Sequence, residues 1–361
     1  MGNPRRFFGA DEEIEIGDVI IPARCAVEVT FRTHQQHFLL RPDEQANEII
    51  LGCFGRAYHR YPELCLNILS VLSDHGSFIA LPASAFVLSS FMRDFLSTSA
   101  TRLNGHRDRD GTFWERRYRA IPIVDEVAYE DRFRYVLTQG TKENLVWSAG
   151  DWPGITCAKA LLGGKPLIGR WQDKTAEGIV RRQWERKLER ARASGRVLDA
   201  PELPAVFREY PIELVPMPHW QELEVGQRRA RVAAMLADDD DITRARHEQD
   251  GTAPLGVKAI RATDPSARSA TPAKSPAPAC HASTRAGRDA YRVAYRAFVE
   301  VMDAGRDAMK RRLPRIGVPL GGTLPPLSHH APLPPRRPDP PLVIGDVTTP
   351  GAPAVGPPAL G

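Results

Sequence analysis

The sequence has 361 residues, with 49 Lys+Arg against 44 Asp+Glu and a formal net charge of +5. Hydrophobic residues make up 42% and charged ones 26%, enough apolar material for a packed core, which excludes a chain disordered throughout. At ~100–200 residues per domain the length leaves room for two domains, but 14 of the 32 prolines fall between Pro314 and Pro358. Residues 313–361 therefore read as a Pro-rich disordered tail, extended and partly polyproline II.

No apolar run approaches the ~20 residues that span a bilayer, and the first 22 residues, without an apolar signal core, read as a flexible arm. Cys25, Cys53, Cys65, Cys157 and Cys280 are odd in number and show no C-x-x-C spacing, which argues against a disulfide framework and a zinc ribbon. The expectation is a cytoplasmic protein with reduced thiols and no membrane partner. A charge of +5 over this length permits a nucleic-acid partner without requiring one.

In chain order, residues 26–32 alternate apolar and polar and are rich in β-branched side chains, which predicts a half-buried strand. A helix opens at Arg41-Pro42-Asp43-Glu44, its apolar stripe carried by Ile49, Ile50, Cys53, Phe54 and Ala57. Two apolar runs, 64–72 and 78–81, flank the polar 73–77, which predicts a hairpin with His75 where its second strand begins. A helix over 86–103, a charged loop over 104–110, a short strand over 119–124 and a helix from Asp125 to about Gln139 complete the pattern. Strand, helix, two strands, helix, strand, helix is an α+β order that suits a ferredoxin-like antiparallel sheet backed by helices. Farther on, 180–196 reads as a basic helix and 238–241 as an acidic run. A Ser/Pro/Ala-rich spacer follows over 263–279. A last helix over 287–312 carries Tyr291, Tyr295, Phe298 and Met302 on one face. The basic face of Arg181, Arg182, Arg186, Lys187 and Arg190 reads as solvated, offset by Glu185 and Glu189.

Residues 26–155 carry an ordered series of blocks. These are Phe31-Arg32, Phe38-Leu39-Leu40-Arg41-Pro42, Val71-Leu72-Ser73-Asp74-His75-Gly76-Ser77-Phe78 and Phe91-Met92-Arg93-Asp94-Phe95. Phe113-Trp114-Glu115-Arg116-Arg117-Tyr118, Tyr135-Val136-Leu137-Thr138-Gln139 and Asp151-Trp152-Pro153-Gly154 follow. In that order they resemble the REP-associated tyrosine transposases, single-tyrosine relatives of the HUH nucleases. The resemblance implies single-stranded or hairpin DNA from repeats as the partner, with a homodimer left open. It implies a domain over 23–160 in which Tyr135 attacks a backbone phosphate, leaving a phosphotyrosine link and a free 3′-OH. It further implies a divalent ion, Mg²⁺ or Mn²⁺, held by His75, Gln139 and the position of Ser77.

The spacings suit that chemistry. Residues i and i+2 of a strand share a face, as do i and i+4 of a helix, so His75 and Ser77 pair up, and Tyr135 and Gln139 likewise. Ser77 stands where the family carries its second histidine, and a hydroxyl is a poorer ligand than imidazole, so a weakened metal site is expected. Arg116, Arg117 and Arg119, interleaved with Trp114 and Tyr118, suit phosphate contacts with base stacking. Two functions follow: a transposase-like enzyme that cleaves and rejoins DNA, or a homologue that binds such DNA without cutting it. Residues 161–312 are expected to form a mostly helical C-terminal extension.

Overall fold

The computed structural model describes residues 13–22, 24–196, 205–268, 278–312 and 343–345. In chain order the elements are β1 (Ile14–Ile16), β2 (Val19–Ile21), β3 (Ala26–Arg32), α1 (Glu44–Arg60), β4 (Leu64–Val71), β5 (His75–Pro82) and α2 (Ala85–His106). They continue through β6 (Arg119–Ile123), α3 (Glu126–Leu137), α4 (Gln139–Lys142), β7 (Ile155–Thr156), α5 (Ala158–Gly163), β8 (Leu167–Gln172) and α6 (Lys174–Ala193). The last are β9 (Ala205–Ile212), α7 (Val225–Asp250), α8 (Val257–Ala262), α9 (Arg285–Arg312) and β10 (Val343–Gly345).

The central sheet has the order β6-β3-β5-β4-β7, and every neighbouring pair is antiparallel. Its first four strands with α1 and α2 give the ferredoxin-like βαββαβ arrangement, and β7 adds an edge beside β4. The α+β class expected from the alternation of periods is the one observed. Alternation along β3 sends Val27, Val29 and Phe31 to one side and Glu28, Thr30 and Arg32 to the other. The apolar side packs on α1 and α2 through a cluster of rings. Phe54 lies 5.6 Å from Phe78, 5.0 Å from Phe91 and 5.3 Å from Phe95, all edge-on.

Four of the helices, α1, α2, α3 and α6, begin where a side chain takes an orphan amide. Asp43 accepts from Ala46 N (2.7 Å), Ser84 from Val87 N (3.2 Å), Asp125 from Ala128 N (2.8 Å) and Asp173 from Ala176 N (2.9 Å). The helix expected to run from Asp125 to Gln139 breaks at Thr138, whose hydroxyl turns back onto Arg134 O, and α4 restarts at Gln139.

Beyond residue 160 most of the described residues are helical, in α6, α7, α8 and α9. The extension also contributes strands, since β8 and β9 form an antiparallel ribbon to which β10 adds a third strand. That ribbon lies directly on α1. A Cβ at Gly52 would collide with the Arg170 carbonyl, and one at Gly169 with that of Leu51. The core is continuous across the expected division at 160, joining Trp171, Tyr210, Met217, Trp220 and Val232 to the residues of the central sheet. Of the arm expected over 1–22, residues 1–12 lie outside the described residues, and Ile14–Ile21 form a hairpin whose apolar side chains pack with Tyr291, Tyr295 and Phe298 of α9. Of the expected tail, residues 313–342 and 346–361 lie outside the described residues, as do 269–277 of the spacer. No helix among the described residues is long and apolar enough to cross a membrane.

Candidate functional site

Directly paired residues of an antiparallel ladder point to the same side of the sheet. One row on the polar face therefore runs Arg119, Thr30, Ser77, Ser70, Thr156, from β6 across to β7. The row above it sets Arg32 beside His75, and the row below sets Glu28 beside Ile79. Ser77 and Ser70 are buried, and the Ser77 hydroxyl lies 3.4 Å from that of Thr30.

His75 opens β5, and its Nδ1 lies 2.7 Å from Asp74 Oδ1. Burial alone would raise the Asp74 carboxyl. The hydrogen bond and charge of His75, with the charge of Arg32, outweigh it and hold the group below the usual carboxylate range.

Helices α3 and α4 bring the remaining expected residues over this face. Gln139 is buried, and its Nε2 donates to Ser77 Oγ at 3.2 Å, while its Oε1 has no partner within the protein. Tyr135, four residues before Gln139 across the break at Thr138, is half-buried. The Arg132 guanidinium lies 4.0 Å from the centre of the Tyr135 ring and the Lys142 ammonium 5.1 Å from it. Burial pushes the Tyr135 phenol up, Glu143 and Glu28 add to the rise, and Arg132 and Gln139 oppose it. The phenol is therefore protonated at neutral pH. The structure thus brings His75, Ser77, Gln139 and Tyr135 to one face of the sheet.

Several neighbours escaped the sequence reading. Glu28 is buried on the same face and accepts two hydrogen bonds from Arg132, at 2.6 and 2.7 Å. His281, from the C-terminal extension, places Nε2 2.8 Å from Glu28 Oε2. Lys142 completes the cations around Tyr135. Asp239 on α7 accepts a hydrogen bond from the Thr141 hydroxyl, and Arg246 donates to Thr141 O at 3.0 Å, so α7 pins the turn that carries Gln139. Cys280-His281 and the acidic run were visible as residues, but their partners lie more than 90 positions away in sequence, where no local spacing can point.

The basic segment divides. Arg116, Arg117 and Arg119 are exposed, and Arg119 occupies the same row as Thr30 and Ser77. Trp114 donates to Leu96 O at 2.9 Å and packs edge-on against Phe31 and Phe113 at 5.3 and 4.7 Å. Tyr118 is buried. The expectation that these two rings stack on bases is corrected: both serve the core, drawn in by the phenylalanine cluster.

A divalent ion does not fit this donor set. Among the described residues no group of three or more His, Cys, Asp or Glu stands together to hold a metal. His75, Ser77 and Gln139 supply one imidazole, one hydroxyl and one amide oxygen, with no carboxylate among them. Mg²⁺ and Mn²⁺ favour carboxylate oxygens. The Ser77 hydroxyl is moreover engaged by Gln139.

No family model matches the chain. No curated protein matches it either. Among solved structures it is similar to a REP-associated tyrosine transposase bound to a REP hairpin, at 16% identity over 44% of this chain and 82% of that one, with a TM-score of 0.33. It is also similar to a protein from Deinococcus radiodurans R1 described as a transposase, at 16% identity over 34% of this chain and 94% of that one, with a TM-score of 0.25. At these scores neither neighbour bears on chemistry or partner, which rest on the geometry above.

Proposed function

We propose that this chain is a transposase-like DNA-binding protein that engages single-stranded or hairpin DNA over the polar face of its sheet without cutting it. The observation that carries the reading is the alignment of exposed Arg119 with Thr30 and Ser77 in one row, beneath Tyr135 and Gln139. Arg116, Arg117 and Arg119 are placed to neutralise phosphates, which releases counterions and makes binding salt-sensitive. Lys142, Arg132 and the neutral Tyr135 hydroxyl form a second bank of donors above the same face. The Tyr135 hydroxyl can donate a hydrogen bond to a phosphate oxygen. The resemblance of the sequence blocks to REP-associated tyrosine transposases supports hairpin DNA over plain duplex at this face.

A cleaving enzyme is the second reading, favoured by the meeting of Tyr135, Gln139, Ser77 and His75 on one face. The test is incubation of the full chain with labelled single-stranded hairpin DNA, with and without Mn²⁺. We expect salt-sensitive binding and no covalent protein–DNA adduct. An adduct would replace the binding reading with the enzymatic one, and failure to bind any DNA would overturn both.

A further inference from the structure

We propose that α6 is a second DNA-binding element, a basic arm that takes the phosphate backbone of a duplex stem. The proposal rests on the reading of the chain as a DNA-binding protein and places a separate surface far from the Tyr135 face in sequence.

The helix holds seven Lys or Arg against three Glu over its 20 residues. Its first turn is fixed to the β8–β9 ribbon. Asp173 caps it, and Glu177 Oε1 accepts from Gln172 Nε2 (2.9 Å) and Val206 N (3.0 Å). Beyond that turn the charged side chains face solvent, and only Ala176 and Ala191 are buried.

Arg182, Arg186 and Arg190 follow one another at i, i+4, i+8 and are all exposed. Four residues of helix advance ~6 Å, so the three positions form a gently winding row ~12 Å long along the axis. Each DNA strand carries a charge about every 3.4 Å of axis, so the stripe spans three or four phosphates of one strand. Like charges four residues apart disfavour a helix standing alone. Glu185 does not relieve them, because it pairs with Arg181 on an adjoining face (4.0 Å). No ion pair among the described residues involves Arg182, Arg186 or Arg190. An extended row of anions is the partner whose charge and spacing match. A guanidinium offers such a partner paired donors in a fixed plane. The face is solvated, as composition suggested, and the Glu185 pairing on it goes to Arg181 and leaves the row of Arg182, Arg186 and Arg190 to itself.

The test uses the full chain and R182A/R186A/R190A, in which alanine preserves helix propensity and circular dichroism checks the fold. Binding to a blunt DNA duplex and to unpaired single-stranded DNA is measured by fluorescence anisotropy from about 50 to about 200 mM salt. We expect the triple variant to bind duplex more weakly, with the slope of log K against log salt reduced by up to ~2.7 at ~0.9 per lost phosphate contact. Single-strand binding should change little. If wild type binds DNA and the variant keeps its duplex affinity and slope, α6 is not an arm and this proposal alone falls. If wild type binds no DNA, the reading of function fails first. Anionic phosphatidylserine vesicles are a further probe. Vesicle binding lost in the variant, with duplex binding unchanged, would overturn DNA in favour of a membrane surface.

Discussion

His281 Nε2 lies 2.8 Å from Glu28 Oε2, so a residue of the C-terminal extension closes onto a buried carboxylate of the first strand of the central sheet. The contact is seated by backbone pairing, since His281 N donates to Pro122 O (2.8 Å) and Val124 N to His281 O (3.0 Å). On its other side Glu28 holds Arg132, whose guanidinium covers the Tyr135 ring. One carboxylate thus ties the extension to the residues around the phenol.

Glu28→Gln should destabilise the fold by about 1–3 kcal/mol at neutral pH, because it leaves Arg132 and His281 short of their acceptor. Burial pushes the Glu28 carboxyl up, but the Arg132 hydrogen bonds and the charges of Arg132 and the adjacent His281 bring it below the ordinary glutamate value. A depressed carboxylate contributes stability that is present above the unfolded value, about 4.3, and is lost as pH falls through the lower folded one. Wild type should therefore lose its advantage over Glu28→Gln on acidification below about pH 4. Urea midpoints at neutral and acid pH measure this, and equal midpoints for the two proteins at neutral pH would count against it.

Gly76 has a direct steric reason to be glycine. A Cβ there would lie within contact of the Phe31 ring, which itself packs edge-on against Phe95 and Trp114 at 5.3 Å. Gly76→Val should cost about 1–3 kcal/mol through overpacking. Pairing it with Phe31→Leu should recover part of that loss, because the two sites are in contact. Thermal melts of the two single variants and the double variant give the coupling, and strict additivity would show that Phe31 is not the obstacle.

Trp220 joins the segment beyond residue 160 to the central core. It is buried, its Nε1 donates to Glu130 Oε1 at 2.8 Å, and its ring lies 5.7 Å from that of Phe133. Trp220→Ala should cost about 3–5 kcal/mol in one cooperative transition. A separate early transition, with the remainder of the chain melting as before, would restore an independent domain ending near residue 160.

The ferredoxin-like order was legible because each of its elements carries its own signal: alternation over 26–32, the stripe from Ile49 to Ala57, and the apolar runs flanking 73–77. His75 and Ser77, like Tyr135 and Gln139, could be placed on common faces because their spacings are local. The row through Arg119, Thr30 and Ser77 depends on strand register, which no local spacing states. Helix α7 was missed because its arginines, alanines and aspartates show no clear apolar stripe, and its buried Asp239, Thr243 and His247 are polar. The β8–β9 ribbon was missed because its strands are short and interrupted by Gly169 and Pro211. Its place on α1 is set by glycines whose role appears only at contact.

Tyr135→Phe should leave hairpin DNA affinity within about tenfold of wild type, because loss of one hydrogen bond is worth ~0.5–1.5 kcal/mol when the counterion term dominates. An Arg116/Arg117 double alanine variant should lose far more, with a shallower salt dependence. Anisotropy titrations separate the two. A Tyr135→Phe loss as large as that of the arginines would make the phenol a principal contact.

Ser77→His tests why the site does not fit a metal. In wild type the Ser77 hydroxyl takes the Gln139 amide, and the two neutral groups leave His75 as the single imidazole on the face. A histidine at 77 would place a second imidazole two residues from the first, on the same side of β5. Residue 77 is 1% exposed, so the larger ring must displace the Gln139 side chain, and a loss of about 1–3 kcal/mol in stability should accompany the change. We expect calorimetry to show no Mn²⁺ binding to wild type in the submillimolar range and measurable binding to Ser77→His. DNA affinity should persist in both, since the arginine row is untouched. Tight Mn²⁺ binding by wild type would mean that the imidazole, hydroxyl and amide suffice and that the argument from missing carboxylates is wrong. A folded Ser77→His protein that still binds no Mn²⁺ would mean that the two imidazoles do not converge, placing the obstacle in the geometry of His75 and Asp74 rather than in Ser77.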